Sequence, residues 1–515
     1  MTVLSLRISI IRLFNRFRKD IIKTSKSKSS VPNGATSSKN ALQERAGEIA
    51  SEFDFDSRDL NLAVKEFIAQ LDQGLRTHGS SMEQIPSYIT SVPTGYEQGT
   101  YLAVDLGGTN LRVCSVALNG DGTYSVKQSK LQIPVEVMVS AASRGLFQFV
   151  AQQIEQFLRQ NHAKEIATHR NDSNEVKDFK LGFTFSHAVT QQNINSGVLI
   201  RWSKGFSIDD AVGQDVCVLL QQEISELGLP VQVTALVNDT VGTLMARAYS
   251  SPENSNTILG AVFGTGTNGA YIETLPAITK LVGTGVEYEP EATHMIVNTE
   301  WGNFDSKLEV LPSTAYDIAL DAASVNPGFE MYEKRISGMY LGELLRLAIV
   351  SFLEDPKVVQ STELNIPVTS PVYRKWRIDS EVLSAIKSDT DPALKKTTSL
   401  LASLLESPQI SADIARATKL IADAIGRRSA RLSAIAIGAI VLQTRSLEDS
   451  TRTIDIGVDG SLIEFYPGFE GEIRGALRDI DGIGIEGEKR IYIALAQDGS
   501  GVGAALTAHM TALHD

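Results

Sequence analysis

Four glycine-rich turns and one Asn-Asp pair hold the residues best suited to chemistry. The turns are Asp105 with Gly107, Gly108 and Thr109; Gly264 to Thr267; Gly457 to Ser461; and Asp498 to Gly503. Glycine reaches positive φ and carries no side chain, so backbone N–H groups can close on an anion, and threonine hydroxyls add donors. A tight turn is the ordinary use of such a segment. Four of them at strand ends, where ligands gather in α/β folds, point to phosphate. Two segments, 264–269 and 482–487, match GxGxxG. A dinucleotide fingerprint must open a helix. The first match runs into strand GAYIET, and the second lies in a charged turn before strand IYIAL, so neither qualifies. No GxxxxGK[ST] occurs, which excludes a P-loop. Asn238-Asp239 ends a strand, and on residue type alone Asp239 reads as the N-cap of a helix over 240–249.

The elements that must position these turns follow from hydrophobic periodicity. Helical spacing runs through 41–76, with Ile49, Phe53, Leu60, Val64, Phe67, Ile68 and Leu71 on one face. Strands are predicted at 101–104, 111–118, 125–132, 180–185, 231–237, 257–263, 269–273, 454–459 and 491–496. Helices are predicted at 142–160, 240–249, 313–321, 340–354, 381–388, 411–441 and 503–512. The polar stretch 164–178 reads as a surface excursion. Strand–DLGGTN–strand at 101–118 mirrors strand–GTGTN–strand at 257–273. That is the pattern of an internal duplication, each half supplying one phosphate clamp.

The 515 residues are 43% hydrophobic and 21% charged, a globular balance. The length predicts about two to four domains. A net charge of −13 argues against a nucleic-acid partner. The two cysteines, Cys114 and Cys217, offer neither a CxxC metal site nor a disulfide framework. No apolar run reaches the roughly 18–20 residues that span a bilayer. Residues 1–30 stand apart: Arg7, Arg12, Arg16, Arg18, Lys19, Lys23, Lys26 and Lys28 face a single acid, Asp20. Ile10, Leu13, Phe14, Phe17 and Ile21 share one helical face and Arg12, Arg16, Lys19 and Lys23 another. Such a helix suits an anionic membrane surface, contacted through residues 1–23, or a mitochondrial presequence. A solvated tail or a helix docked on its own protein are the plainer readings. Arg7 and Arg12 interrupt any secretory core. Residues 24–40 read as a flexible linker.

The motifs together resemble the hexokinase family. LAVDLGGTNLR at 102–112 resembles its first phosphate motif and FGTGTNGAY at 263–271 its second. LGFTFS at 181–186, RWSKGF at 201–206 and LVNDTVGTL at 236–244 resemble its sugar and catalytic segments. NTEWGNFD at 298–305, YEKRISGMYLGELLRL at 332–347 and GVDGSLIEFYPGF at 457–469 also match, in family order. The resemblance implies a two-domain, actin-like α/β ATPase fold (a duplicated ribonuclease H-like unit) with a cleft between domains. It implies ATP- and Mg-dependent phosphorylation of a hexose at its 6-hydroxyl, feeding glycolysis. The expected domains are 41–91 with 240–495, the larger, and 92–239 with 496–515, the smaller.

The resemblance also assigns roles. Asp239 matches the catalytic base, and Lys204 a lysine near the sugar and the transferred phosphate. Ser186, Ser203, Asn238, Glu300 and Glu333 match sugar-binding positions, Ser203 standing where threonine is usual. Asp105 would hold Mg through water, since Mg keeps much of its hydration. Gly107, Gly108, Thr109, Asn110, Gly264, Thr265 and Gly266 would contact phosphates, with Ser461 near the adenosine. Arg112 reads as a phosphate-side cation or a surface charge. A cytoplasmic protein, monomer or homodimer, is expected, at the mitochondrial outer membrane or another anionic surface if the basic helix docks.

Two departures fall on the sugar side. The family's Ser-Phe-Pro is Ser186-His187-Ala188, which removes a rigid proline. His187 reads as a surface histidine or a polar group facing the cleft. Paired glutamines before Tyr332 are replaced by Phe329-Glu330. These changes open a second reading, a catalytically weak or inactive regulatory protein that senses nutrient state.

Overall fold

The computed structural model describes residues 34–108, 110–171, 178–202, 205–284, 288, 291–496 and 498–512. The basic segment 1–30 lies outside the described residues, as do Thr109, Ser203 and Lys204. The strands are β1 (Ile85–Pro86), β2 (Gln98–Leu106), β3 (Asn110–Asn119), β4 (Tyr124–Gln132), β5 (Phe179–Phe185), β6 (Ala188–Asn193) and β7 (Ser196–Arg201). Then follow β8 (Val231–Val237), β9 (Ser255–Phe263), β10 (Thr267–Thr274), β11 (His294–Asn298), β12 (Thr453–Asp459) and β13 (Ile491–Leu495).

One sheet runs β4-β3-β2-β5-β8, the other β1-β11-β10-β9-β12-β13, and β6 and β7 form a separate ribbon. In the first, β2 pairs antiparallel with β3 and parallel with β5, which pairs parallel with β8. In the second, β9 pairs antiparallel with β10 and parallel with β12, which pairs parallel with β13. The order is the same, with β1 added at one edge. The short sequence repeat is therefore the visible end of a whole-sheet repeat.

Each sheet's last parallel strand feeds a helix: Asp239–Ser250 after β8 and Gly499–Ala512 after β13. The two helices touch at glycine. A Cβ at Gly503 would strike the Gly242 backbone, and one at Gly182 of β5 would strike the Ala504 backbone. Small residues thus let the two helices and the first sheet close on a core of Val237, Val241, Leu244, Val502, Ala504 and Leu506. A second core lies between the first sheet and helix Arg144–Asn161, with Val104, Phe183, Val150 and Ile154. The largest surrounds helix Ala412–Gln443 and includes Phe67, Trp301, Tyr332 and Ile435. Each such large apolar side chain contributes roughly 1.5–3 kcal/mol by leaving water.

Strands β1, β6, β7 and β11 were not expected from the sequence, and three segments differ further from the sequence reading. The helical run 41–76 is two helices, Gly34–Ser51 and Ser57–Arg76, because Asp56 caps the second by accepting from Asp59 N at 2.9 Å. The first begins inside the expected linker. Once Leu42, Ala46 and Ile49 are buried, extension by one residue needs no new nucleus. The polar stretch after 163 is helix Ala163–Asn171 rather than an excursion, anchored by buried Ile166.

Candidate active site

Parallel strands bring their carboxyl ends together. β2, β5 and β8 deliver Asp105 to Gly108, Ser186 and Asn238-Asp239. β9, β12 and β13 deliver Gly264, Asp459 to Ser461, and Asp498. Ligand sites of open α/β sheets lie at such ends.

At the first turn, Gly107 N donates to Asn110 O at 3.1 Å and closes the loop. Arg112, on the returning strand, is no surface charge. Its guanidinium reaches Asp105 Oδ2 at 3.2 Å, Ser500 Oγ at 2.6 Å and Asp498 Oδ1 at 2.8 Å. Ser500 Oγ also donates to Asp105 Oδ2 at 2.8 Å. Burial opposes the charge on Arg112, yet the carboxylates raise its pKa further. Asp105, Arg112 and Asp498, with Gly107, Gly108 and Asn110, line a recess of about 370 Å³. Asp498 and Ser500 were missed as site residues by sequence reasoning. Their signal was the fourth glycine turn, which gave no hint of a partner 386 residues away.

The second turn faces helix Gly338–Leu353. Gly338 N donates to Gly264 O at 2.8 Å and Met339 N to Thr265 O at 3.1 Å. In a trans peptide the N–H points opposite to the carbonyl. Anchoring the two carbonyls on the helix therefore turns the N–H groups of Thr265 and Gly266 away from it, the arrangement of an anion nest. Gly460, at φ 111°, abuts this turn, and a Cβ there would meet the Phe263 backbone at 2.5 Å. Gly460 N donates to Asp459 Oδ1 at 2.6 Å, and exposed Ser461 starts the next helix. Burial, and to a lesser degree the Asp239 charge, raise the Asp459 pKa.

Adjacent residues of β10 hold two carboxylates. Thr267 N donates to Glu333 Oε2 at 2.9 Å, and Asn268 Nδ2 to Glu300 Oε1 at 3.0 Å. Asn298 Nδ2 adds a second bond to Glu300 Oε1 at 2.7 Å. Glu300 sits at φ 53°, a left-handed conformation that costs a non-glycine residue and persists only where neighbours enforce it. Burial raises its pKa; the amide donors lower it, and the charges of Glu83 and Asp239 push it up. Glu83, Asn268 and Asn298 were not among the sequence candidates.

Asn238, not Asp239, is the helix cap. Its Oδ1 accepts from Thr240 N at 2.9 Å and Thr240 Oγ1 at 2.6 Å, so its amide Nδ2 is the group left to donate outward. Asp239 is the first helical residue. Both are half-buried. Ser186 is half-buried at the end of β5. His187 is neither on the surface nor in the cleft: it is buried among Phe185, Trp202 and Phe206, with ring centroids 4.9–5.0 Å away. Glu330 Oε2 accepts from Asn326 Nδ2 at 2.6 Å, and Phe329 is exposed.

The strand ends thus carry two glycine turns with a guanidinium, which suit phosphates, and paired carboxylates with amide donors, which suit a polyhydroxy compound. Asp239 is a carboxylate whose charge is felt at both Glu300 and Asp459, and it can take a proton.

Two family models, both for hexokinase, match residues 45–249 and 258–510. The chain is 49% identical to the glucokinase of Aspergillus niger over 480 residues, covering 91% of this chain and 97% of that one. It is 39% identical to glucokinase-1 of Saccharomyces cerevisiae over 491 residues, again 91% and 97%. Among solved structures, the hexokinase of Schistosoma mansoni complexed with glucose matches at TM-score 0.76 and 33% identity, over 92% of this chain and 99% of that one.

Proposed function

This chain belongs to the hexokinase family, with the actin-like ATPase fold, and phosphorylates a hexose with ATP; from that premise we propose that its sugar is glucose, taken at the 6-hydroxyl, with Asp239 as the base. One observation carries the reading. Asp239 stands half-buried at the end of β8, and its charge raises the pKa of both Glu300 and Asp459.

A sugar hydroxyl is a poor nucleophile until its proton has somewhere to go. Asp239 accepts that proton as the 6-oxygen bonds to the γ-phosphorus and the bond to ADP breaks. Glu300 and Glu333 accept hydrogens from the other hydroxyls, Asn238 Nδ2 donates to one, and Ser186, Ser203 and Lys204 complete the sugar side. Gly107, Gly108, Thr109, Asn110, Gly264, Thr265 and Gly266 hold phosphates through N–H groups, Arg112 supplies a positive charge, and Ser461 lies by the adenosine. Asp105 is a half-buried hard oxygen donor beside that recess, which fits a Mg ion bound mostly through water and phosphate. That ion would spread the charge building on the transferred group.

Support for glucose comes from relatives named glucokinase and from the glucose complex of the Schistosoma enzyme. Residues 41–91 with 240–495, and 92–239 with 496–515, act as two bodies that close on the sugar and exclude water. The 6-phosphate product feeds glycolysis. Residues 1–23 dock the otherwise cytoplasmic enzyme on an anionic surface such as the mitochondrial outer membrane. Nothing favours the regulator reading.

The test is ATP-dependent phosphorylation of glucose, fructose and mannose by wild type and Asp239→Ala. Glucose should be preferred, and the variant should lose about 10²–10⁴-fold in kcat. Turnover retained in Asp239→Ala removes it as the base. A chain lacking residues 1–30 should turn over normally and no longer sediment with anionic vesicles. Sedimentation of the shortened chain overturns the docking assignment.

A further inference from the structure

Lys280 is buried in the turn after β10, 8% exposed, and its ammonium ends in a cradle of main-chain carbonyls. Nζ donates to Gly74 O at 2.9 Å, Glu83 O at 2.6 Å and Gln84 O at 2.6 Å. Three protons meet three acceptors. The Gly74 carbonyl belongs to the last turn of helix Ser57–Arg76, where carbonyls lack helical partners and the helix end is negative. The other two carbonyls belong to a segment that crosses directly over that turn. A Cβ at Gly74 would strike the Met82 carbonyl and the Gln84 side chain.

That crossing leads to the sugar side. Gln84 is fully buried in a left-handed conformation, φ 49°. Its N–H and its Nε2 both donate to Thr299 O, at 3.3 and 3.1 Å. Ile85 then pairs with Asn298 in the β1–β11 ladder. Thr299 is followed by Glu300, itself left-handed at φ 53°. Two strained positions are thus tied through one carbonyl. The cation on the outer side holds the first of them down.

We propose that Lys280 is a positioning residue for Glu300: its ammonium fixes the Glu83–Gln84 crossing, which fixes the Thr299–Glu300 turn that holds the sugar. The proposal rests on the assignment of Glu300 to the sugar. An uncharged chain of similar length, as in Lys280→Met, leaves three carbonyls without a donor and lets the crossing rise. The loss should appear in sugar binding, not in ATP binding, because both phosphate nests are held by other contacts. A protonated Lys280 is needed for all three bonds. Burial lowers its pKa to about 8, offset in part by the Glu83 charge. The other charges at that end of the helix, Asp72 and Arg76, pair with each other at 3.1 Å.

The experiment compares full-length wild type, Lys280→Met and Glu300→Ala, with KM for glucose and for ATP measured from pH 6.5 to 9. Expected for Lys280→Met is a glucose KM raised about tenfold or more, the order of a lost charge-assisted hydrogen bond, with ATP KM unmoved. In wild type the glucose KM should climb above pH 8, and that limb should be absent from Lys280→Met. A glucose KM equal to wild type, or equal shifts in both KM values, overturns the proposal. If Lys280→Met does not fold, the wild-type limb decides: a glucose KM flat to pH 9 overturns it. Glu300→Ala separates the two levels. An unchanged glucose KM there refutes the Glu300 assignment itself, whereas a raised one beside a normal Lys280→Met refutes only Lys280.

Discussion

Arg112 Nη1 stands 2.8 Å from Asp498 Oδ1, and the same guanidinium reaches Asp105 Oδ2 at 3.2 Å. One cation therefore neutralises two carboxylates, one from each half of the repeated fold. Arg112 is a half-buried fork, and only a planar group with several donors can serve both acids and Ser500 at once. Arg112→Ala should leave Asp105 and Asp498 facing each other without a counter-charge where phosphate must enter. The expected outcome is a KM for ATP raised about tenfold or more, with the KM for glucose little changed. Arg112→Lys should recover only part of the loss. Steady-state kinetics with each substrate varied checks this, and an unaltered ATP KM in Arg112→Ala would sink it.

Burial holds the Glu300 carboxyl above the usual carboxylate pKa. The native chain then holds a proton that the unfolded chain releases. This group favours folding below about pH 4.5, and its contribution disappears as pH rises through the raised native value. At pH 7 the buried charge is a cost that the site carries for function. Glu300→Gln should therefore raise Tm at pH 7, by about 1–1.5 °C for each kcal/mol recovered, and have little effect near pH 4. The same change should weaken glucose binding, since an amide accepts a hydroxyl hydrogen less strongly than a carboxylate. Calorimetry at the two pH values tests the sign. A lower Tm at pH 7 contradicts it.

Behind Glu333 lies a buried pair with the opposite behaviour. Arg428 donates to both oxygens of Asp317, each at 2.8 Å, with both side chains essentially inaccessible. Burial alone would raise the Asp317 pKa, but the Arg428 charge and hydrogen bonds hold it at about 2. The pair's stabilisation is fully present above the unfolded value of 3.8 and is lost as pH falls from there toward 2. Asp317→Ala strands a buried guanidinium and should cost about 3–5 kcal/mol, about 5 °C in Tm for a chain of this size. Replacing both partners by Leu and Met should recover most of that loss. Urea midpoints for single and double variants measure it. A double variant no better than Asp317→Ala would mean the pair is not the source of the cost.

The sequence was legible where a residue acts through its own type or its immediate neighbours. Glycine at 264 and 460 declared turns because the backbone there needs the space, and strand–turn–strand spacing exposed the repeat. Arg112 was ambiguous because its partners, Asp498 and Ser500, are brought to it only when helix Gly499–Ala512, after β13, packs against β2 and β3 of the other sheet. Lys280 gave no signal at all: a lysine that donates to three main-chain carbonyls has no motif, since carbonyls belong to every residue. The Asp239 cap was misread by one position because Asn and Asp compete for the same role: Thr240 N donates to both side chains at 2.9 Å, and the extended backbone of Asn238 with the Thr240 hydroxyl bond decides it.

His187 was read as polar because histidine usually is, yet its surroundings are aromatic. Its ring meets Trp202 and Phe206 edge-on, at interplanar angles of 78° and 74°, while Trp202 and Phe206 stack at 5.3 Å. Trp202 Nε1 donates to Ile208 O at 2.8 Å, so the cluster also anchors the segment that follows β7. That segment includes Ser203 and Lys204 in the sequence. Edge-to-face packing of this kind depends on a ring and not on its nitrogens. His187→Phe should therefore keep both glucose KM and Tm near wild type. His187→Ala should open a cavity, cost about 2 kcal/mol or more, and raise the glucose KM as Trp202 and Phe206 lose the ring they pack on. If instead His187→Phe raises the glucose KM as much as His187→Ala does, packing of the ring is not what supports the sugar side.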